Sequence, residues 1–257
     1  MSNTYAYLFG ITGLGGIVFC FLCFVRKDLR KIMLYGGTVY LLYMTACFFL
    51  LKLLSSDAAK TINPGYWSPP SLFDLNRKTG GLGIEDVVFM FLVGAVAAGF
   101  YEVIFKVKVS NKTNKKLRKG HALAIGVLAG SLVYVLTPLN AIYFTIIVQL
   151  VGAIALVWRR HDLLRHALNG GLLFMVLYIS FFLIFNLIFP GFLNSYYHLQ
   201  RTSHVWLAGL PLEEYLYSFT LGLIWAPIYE YEFRRKDTKR RWLGPRRVYP
   251  AVGGARR

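Results

Sequence analysis

Apolar residues fall in seven long runs separated by short polar stretches. The runs cover about residues 5–25, 32–54, 84–105, 121–137, 141–158, 163–189 and 212–233. A helix needs about 20 apolar residues to cross a bilayer, and the runs reach or approach that length. The fourth is the shortest. The pattern predicts an all-α fold, a polytopic membrane bundle of about seven transmembrane helices. The breaks between runs are equally informative. The stretch 55–83 carries Asn63-Pro64-Gly65-Tyr66-Trp67-Ser68-Pro69-Pro70, whose prolines and glycines break helix and whose aromatics suit the lipid interface. Pro138 and Asn140 predict a tight turn, and the loop 190–211 is rich in aromatics and histidines.

Composition agrees. The chain is 56% hydrophobic and 16% charged, against about 45–50% and 25% in soluble domains. Its net charge of +17 would suggest nucleic acid in a soluble protein. Here 24 of the 29 bases sit in the first-to-second, third-to-fourth and fifth-to-sixth loops and in the tail, counting Arg165 at the start of the sixth run. Such bases set topology. They predict a cell-membrane protein with its C-terminus cytoplasmic and its N-terminus outside, and the bilayer rather than nucleic acid as partner. Bases follow the first run at Arg26 and Lys27 and none precedes it, so a retained span is expected in place of a cleaved signal. Cys20, Cys23 and Cys47 all lie in apolar runs and read as small hydrophobes.

The chain repeats itself. A shift of 128 residues lays Gly81 on Gly209, Glu85 on Glu213, Asp86 on Glu214, Gly94 on Gly222, Tyr101 on Tyr229 and Glu102 on Glu230. A shift of 134 lays Arg26 on Arg160, Asp28 on Asp162 and Gly36-Gly37 on Gly170-Gly171. The predicted organisation is a three-helix repeat over 1–107, a basic loop and linker helix over 108–140, a second repeat over 141–233 and a basic tail over 234–257. One connecting helix after three spans restores the starting direction, so the repeats are expected to be parallel.

Chemistry concentrates at one repeated feature. Glu85-Asp86 and Glu213-Glu214 each open a membrane-length helix. Ionisable residues are costly there and mark working sites. The bland reading is a first-turn acid that caps a helix. Two doublets at equivalent repeat positions favour function, with one acid of each pair facing the bundle centre. A neutral acid to donate a proton and a carboxylate to accept one suit proton chemistry on an apolar substrate. Tyr66, Trp67, Trp206, Tyr215 and Trp225 lie in the loops or spans nearest the doublets. They are the candidates to line a cavity and face a carbocation. Glu102 and Glu230 fall near the opposite, basic face and read as ion-pair partners of Lys106, Lys108, Arg234 or Arg235. No metal spacing, phosphate loop, nucleophile elbow or Asp-rich diphosphate motif occurs.

Pro211-Leu212-Glu213-Glu214-Tyr215-Leu216-Tyr217 resembles the P-x-E-E-x-x-F element of the small integral-membrane lycopene cyclases. Asn63 to Pro70, followed by Gly83-Ile84-Glu85-Asp86-Val87-Val88-Phe89, resembles the first copy of that element in tandem members. The resemblance implies an isomerisation that needs no cofactor, in which a carboxylic acid protonates a terminal double bond of an acyclic carotenoid, a ring closes, and a proton is lost. It implies Glu85, Asp86, Glu213 and Glu214 as the acid/base set. Gly83 stands where the family has proline, and Tyr217-Ser218 where it has paired aromatics. A carotenoid hydratase would use the same carboxylates. A seven-span transporter or lipid-binding protein is the non-enzymatic alternative.

Overall fold

The computed structural model describes residues 5–107, 113–117 and 121–235. Most of the basic loop and tail assigned above lies outside those residues. Among the described residues seven long helices follow the apolar runs closely. They are α1 (Ala6–Val25), α2 (Arg30–Leu54), α3 (Ile84–Ile104), α4 (His121–Leu136), α5 (Ala141–Arg159), α6 (Leu164–Ile188) and α7 (Leu212–Glu232). Helix α1 contains a π-helical turn, Ile11–Gly15.

Five of these, α1, α2, α3, α5 and α6, are long and apolar enough to cross a membrane by length and composition. Helix α4 falls short at 16 residues. Helix α7 is long enough, at 21 residues, but carries four glutamates. It tolerates them because it sits inside the bundle, with Leu216 alone exposed among its residues. A helix wrapped by other helices needs no apolar face toward lipid. The outer helices do present one: Leu42, Leu53, Phe24 and Leu187 are all largely exposed, as a lipid-facing surface requires.

Helices α3 and α7 form the centre. Helix α2 packs along α3, and α6 along α7; α5 lies between α4 and α7. Close approach explains the repeated glycines. A Cβ on Gly94 would stand 2.8 Å from the Gly36 carbonyl oxygen, and one on Gly222 would stand 2.6 Å from that of Gly170. Small residues at these crossings let the backbones touch. The two halves also share a terminal clasp. Arg26 is paired with Asp28 at 2.8 Å and donates to the Glu102 carbonyl, while Arg160 is paired with Asp162 at 2.6 Å and donates to that of Glu230.

The central helices run parallel. Asp86 and Glu214, in their first turns, border one cavity. Near their ends, Glu102 and Glu230 flank the buried His166 of α6, at 3.6 and 3.3 Å. His166 therefore takes the place expected for lysines and arginines of the basic face. The side chains of Lys108, Arg234 and Arg235 are not among those described. Of the cysteines, Cys47 is buried, Cys23 half-buried and Cys20 exposed.

Two loops fold over the acidic end and pair with each other. Ser68 donates its N–H to the Tyr196 carbonyl, His198 to that of Tyr66 and Gln200 to that of Gly65. Arg201 is paired with Asp57 across the same seam at 2.7 Å. Asn140 caps α5 by accepting from the Ile142 N–H, and its amide donates to the Ala59 and Thr61 carbonyls. Two short antiparallel ladders were not expected from the sequence. One joins β1 (Thr113–Leu117) to residues Phe233–Arg235. The other is a tight hairpin, β2 (Trp206–Leu207) with β3 (Leu210–Pro211), closed by Ala208 and Gly209 at positive φ, as a type I′ turn demands. That hairpin delivers the chain into α7.

Lys60 ties the first of these loops to the linker helix. It is buried, and its ammonium donates to the Tyr134 and Thr137 carbonyls at the end of α4, at 2.5 and 2.8 Å. Terminal helix carbonyls need such donors. Lys60→Met is expected to cost about 1.5–3 kcal/mol, the range for hydrogen bonds from a charged donor. Thermal unfolding of the purified protein in detergent checks this; an unchanged midpoint contradicts it.

Candidate active site

The two doublets open helices for different local reasons. Gly83 is the N-cap of α3, and its N–H donates to Asp86 Oδ2 at 2.7 Å. This is the reach-back half of a capping box. A proline at position 83, as in the family pattern, would have no N–H to make that bond. Pro211 is the N-cap of α7, where a missing N–H costs little.

Within each doublet the two acids part. Successive helix positions point about 100° apart. Asp86 and Glu214, the second acids, line one cavity; Glu85 and Glu213 do not. Glu85 Oε1 accepts the Leu72 N–H at 2.6 Å. Glu213 Oε1 accepts the Tyr143 hydroxyl at 2.6 Å and the Ser203 N–H at 2.8 Å. Each first acid thus anchors the loop that precedes its own helix. Both are deeply buried, at 2% and 1% exposure.

The cavity has an empty volume of about 1190 Å³, its open mouth included. Its walls are aromatic: Tyr7, Tyr66, Trp67, Tyr178, Phe182 and Tyr197 surround the acids. Glu214 is 4% exposed. Its Oε1 accepts the Tyr66 hydroxyl at 2.8 Å, and its Oε2 accepts the Tyr178 hydroxyl at 2.7 Å. Asp86 is only partly buried, and its Oδ1 meets the Tyr7 hydroxyl at 3.4 Å. Burial pushes the Tyr66 and Tyr197 phenols well above their ordinary range, and the nearby Glu214 carboxylate acts in the same sense. Both phenols are therefore neutral donors. Trp67 stacks at a tilt on Tyr197, centroids 4.5 Å apart, and meets Tyr7 edge-on at 5.5 Å.

The remaining aromatic candidates lie elsewhere. Trp225 is fully buried; it donates to the Gly36 carbonyl at 3.0 Å and packs edge-on against Tyr40 at 4.8 Å, joining α7 to α2. Tyr215 donates to the Leu207 carbonyl at 2.9 Å and so secures the hairpin. Trp206 is 41% exposed on that hairpin and meets the cavity wall edge-on at Tyr197, centroids 6.1 Å apart. Three wall residues carry no sequence signal beyond being aromatic. Tyr7 and Tyr178 sit inside apolar runs, and Tyr197 in a loop. Among the described residues no group of three or more His, Cys, Asp or Glu is placed to hold a metal ion.

A family model for lycopene cyclase matches the chain twice, over residues 4–104 and 140–232. The chain belongs to the lycopene cyclase family. The two matched regions each contain one doublet and the helices that hold it. The cavity described above is lined from both regions, with Asp86 from one and Glu214 from the other. Membership supports a carotenoid cyclase-type enzyme that is embedded in a membrane and meets a hydrophobic carotenoid. Neither the curated proteins nor the solved structures include a significant match.

Proposed function

We propose that this protein closes an end ring on an acyclic carotenoid of the lycopene type, inside the membrane and without a cofactor. A carboxylic acid gives its proton to a terminal double bond. A C–H bond forms and a carbocation is left on the neighbouring carbon. A double bond further along the chain attacks it, a six-membered ring closes through a new C–C bond, and the charge moves into the ring. A ring C–H then gives up its proton to a carboxylate, which restores a double bond. Atoms and electrons balance, so the sequence of steps is a redox-neutral isomerisation.

The observation that carries this reading is the meeting of Asp86 and Glu214 in one aromatic cavity. We assign Asp86 as the acid. Its Oδ1 has a single long phenol contact, which leaves a proton there available to a substrate. Glu214 accepts a phenol on each oxygen, an arrangement suited to a fixed negative charge facing the cation and to taking up the released proton. The faces of Tyr178, Trp67 and Phe182 can stabilise the passing cation. The topology expected from the loop charges, with the doublets at the outer face, is part of the proposal.

Expression in a lycopene-accumulating bacterial host tests it. Ring-bearing carotenoids of unchanged mass are expected. A product heavier by one water would make the protein a hydratase. Unchanged lycopene in membranes holding folded protein would remove this substrate, and proton-coupled uptake by proteoliposomes would favour the transporter reading.

The first acids should behave differently from the second. Glu85→Gln and Glu213→Gln are expected to retain ring formation and to lose stability, by about 1–3 kcal/mol. Melting temperature alongside pigment analysis separates the two effects. Complete loss of product from either variant, while it remains folded, would move that residue into the chemistry.

A further inference from the structure

A second cavity lies against the first and has no part in the proton chemistry above. It is bounded by α1, α3 and α6 and has an empty volume of about 490 Å³. Gly15, Val18, Leu92, Val96, Phe174 and Phe181 form most of its wall. Phe89 and Tyr178 line both cavities, with ring centroids 6.3 Å apart and edge-on to each other. The single polar side chain in the second wall is Tyr178, and its hydroxyl is turned away to Glu214 at 2.7 Å. The second cavity is therefore a hydrocarbon-lined extension of the first, with an aromatic pair at the junction.

Its direction matters. Along α3 the shared wall runs from Asp86 in the first cavity to Val96 in the second, ten residues on, which is about 15 Å of helix. The lining of the first cavity, by contrast, includes polar groups of the loop side, among them Lys52, Thr61 and Asn63. The π-helical turn of α1, Ile11–Gly15, borders the second cavity at both of its ends. Such turns often mark functional sites. Gly15 keeps the space open: a Cβ there would reach ordinary contact with Leu92 at 3.4 Å and Phe181 at 4.0 Å, so any longer side chain would fill the passage.

We propose that this second cavity receives the acyclic remainder of the polyprenoid whose end group reacts between Asp86 and Glu214, the chain passing between them beside Phe89 and Tyr178. The inference rests on the cyclase reading. On its loop side the first cavity would set a long polyene against Lys52 and Asn63, whereas the second cavity offers it an apolar path of matching chemistry. Lipid tails are also apolar, so the cavity adds little transfer energy. Its contribution is alignment, fixing which double bond meets the acid.

The experiment uses the full chain in lipid nanodiscs with an acyclic C40 polyene carrying a photoreactive diazirine at an internal carbon, as far from the reacting end as the second cavity lies from Asp86. Labelling is expected within Ile11–Val18 and Phe174–Phe181. Labelling confined to the loop 55–83, or to lipid-facing side chains, overturns the proposal. In parallel, Gly15→Leu should lower ring formation about tenfold or more, chiefly through KM. Gly13→Leu places the same side chain in the same turn where nothing lies within 4 Å, and should match the wild type. If Gly15→Leu does not fold, Val96→Phe narrows the passage from the opposite wall and is read the same way. Wild-type turnover in a folded, blocked variant overturns the proposal. Failure of the cyclase reading looks different: the wild type itself yields no ring product, wherever the polyene is labelled.

Discussion

Replacing Glu214 by glutamine is expected to stop ring formation, with a loss of about 10²–10⁴-fold, the range for removing a positioned acid or base. Glutamine keeps the volume of the side chain and one carbonyl oxygen. It removes the negative charge and turns one acceptor into a donor. That donor would face the hydroxyl of Tyr66 or Tyr178, which now donate at 2.8 and 2.7 Å. A phenol can rotate to accept, so the fold should survive while the charge opposite the carbocation is lost. Pigment analysis beside a melting curve reads both quantities. A folded Glu214→Gln variant that makes rings at the wild-type rate would remove Glu214 from the mechanism. Tyr178→Phe should fall between the two, because it leaves the carboxylate but frees one of its oxygens.

Asp86→Asn is expected to lose about 10²-fold or more in ring formation. Its informative feature is what it preserves. An asparagine oxygen still accepts the Gly83 N–H that Asp86 Oδ2 accepts at 2.7 Å, so the start of α3 stays capped. Only the transferable proton disappears. The variant should therefore express and melt like the wild type while making no rings. Compared with Glu85→Gln one residue away, it separates chemistry from loop anchoring within a single doublet. If the cap alone mattered, Asp86→Asn would be close to neutral and Asp86→Ala would be destabilised.

Much of this site is legible in the amino-acid sequence. The doublets, their places at helix starts and their equivalence under a 128-residue shift are all there. The glycine pairs that the repeat aligns lie at close helix crossings, a role the alignment alone did not give them. The aromatics that line the cavity are harder to read. Tyr66 and Trp67 are in a motif that also supplies the wall. Trp225 is in an equally suggestive place but serves as a strut between α7 and α2. Tyr7 and Tyr178 look like ordinary membrane tyrosines, and only their hydrogen bonds to Asp86 and Glu214 distinguish them.

The sequence by itself determined where the helices begin and end, that the chain is a membrane bundle, that it is built twice, and that each half brings one acidic pair. Those features depend on local composition and spacing. Tertiary structure decided which acid of each pair faces the cavity, because adjacent helix positions point about 100° apart and the rotation of a helix is set by what it packs against. Here α6 and the paired loops set it. They carry Tyr178, Tyr66 and Tyr197 to Glu214 and leave Glu213 to Tyr143 and Ser203. Contacts that span more than a hundred residues, such as that between Tyr66 and Glu214, leave no periodic trace along the chain.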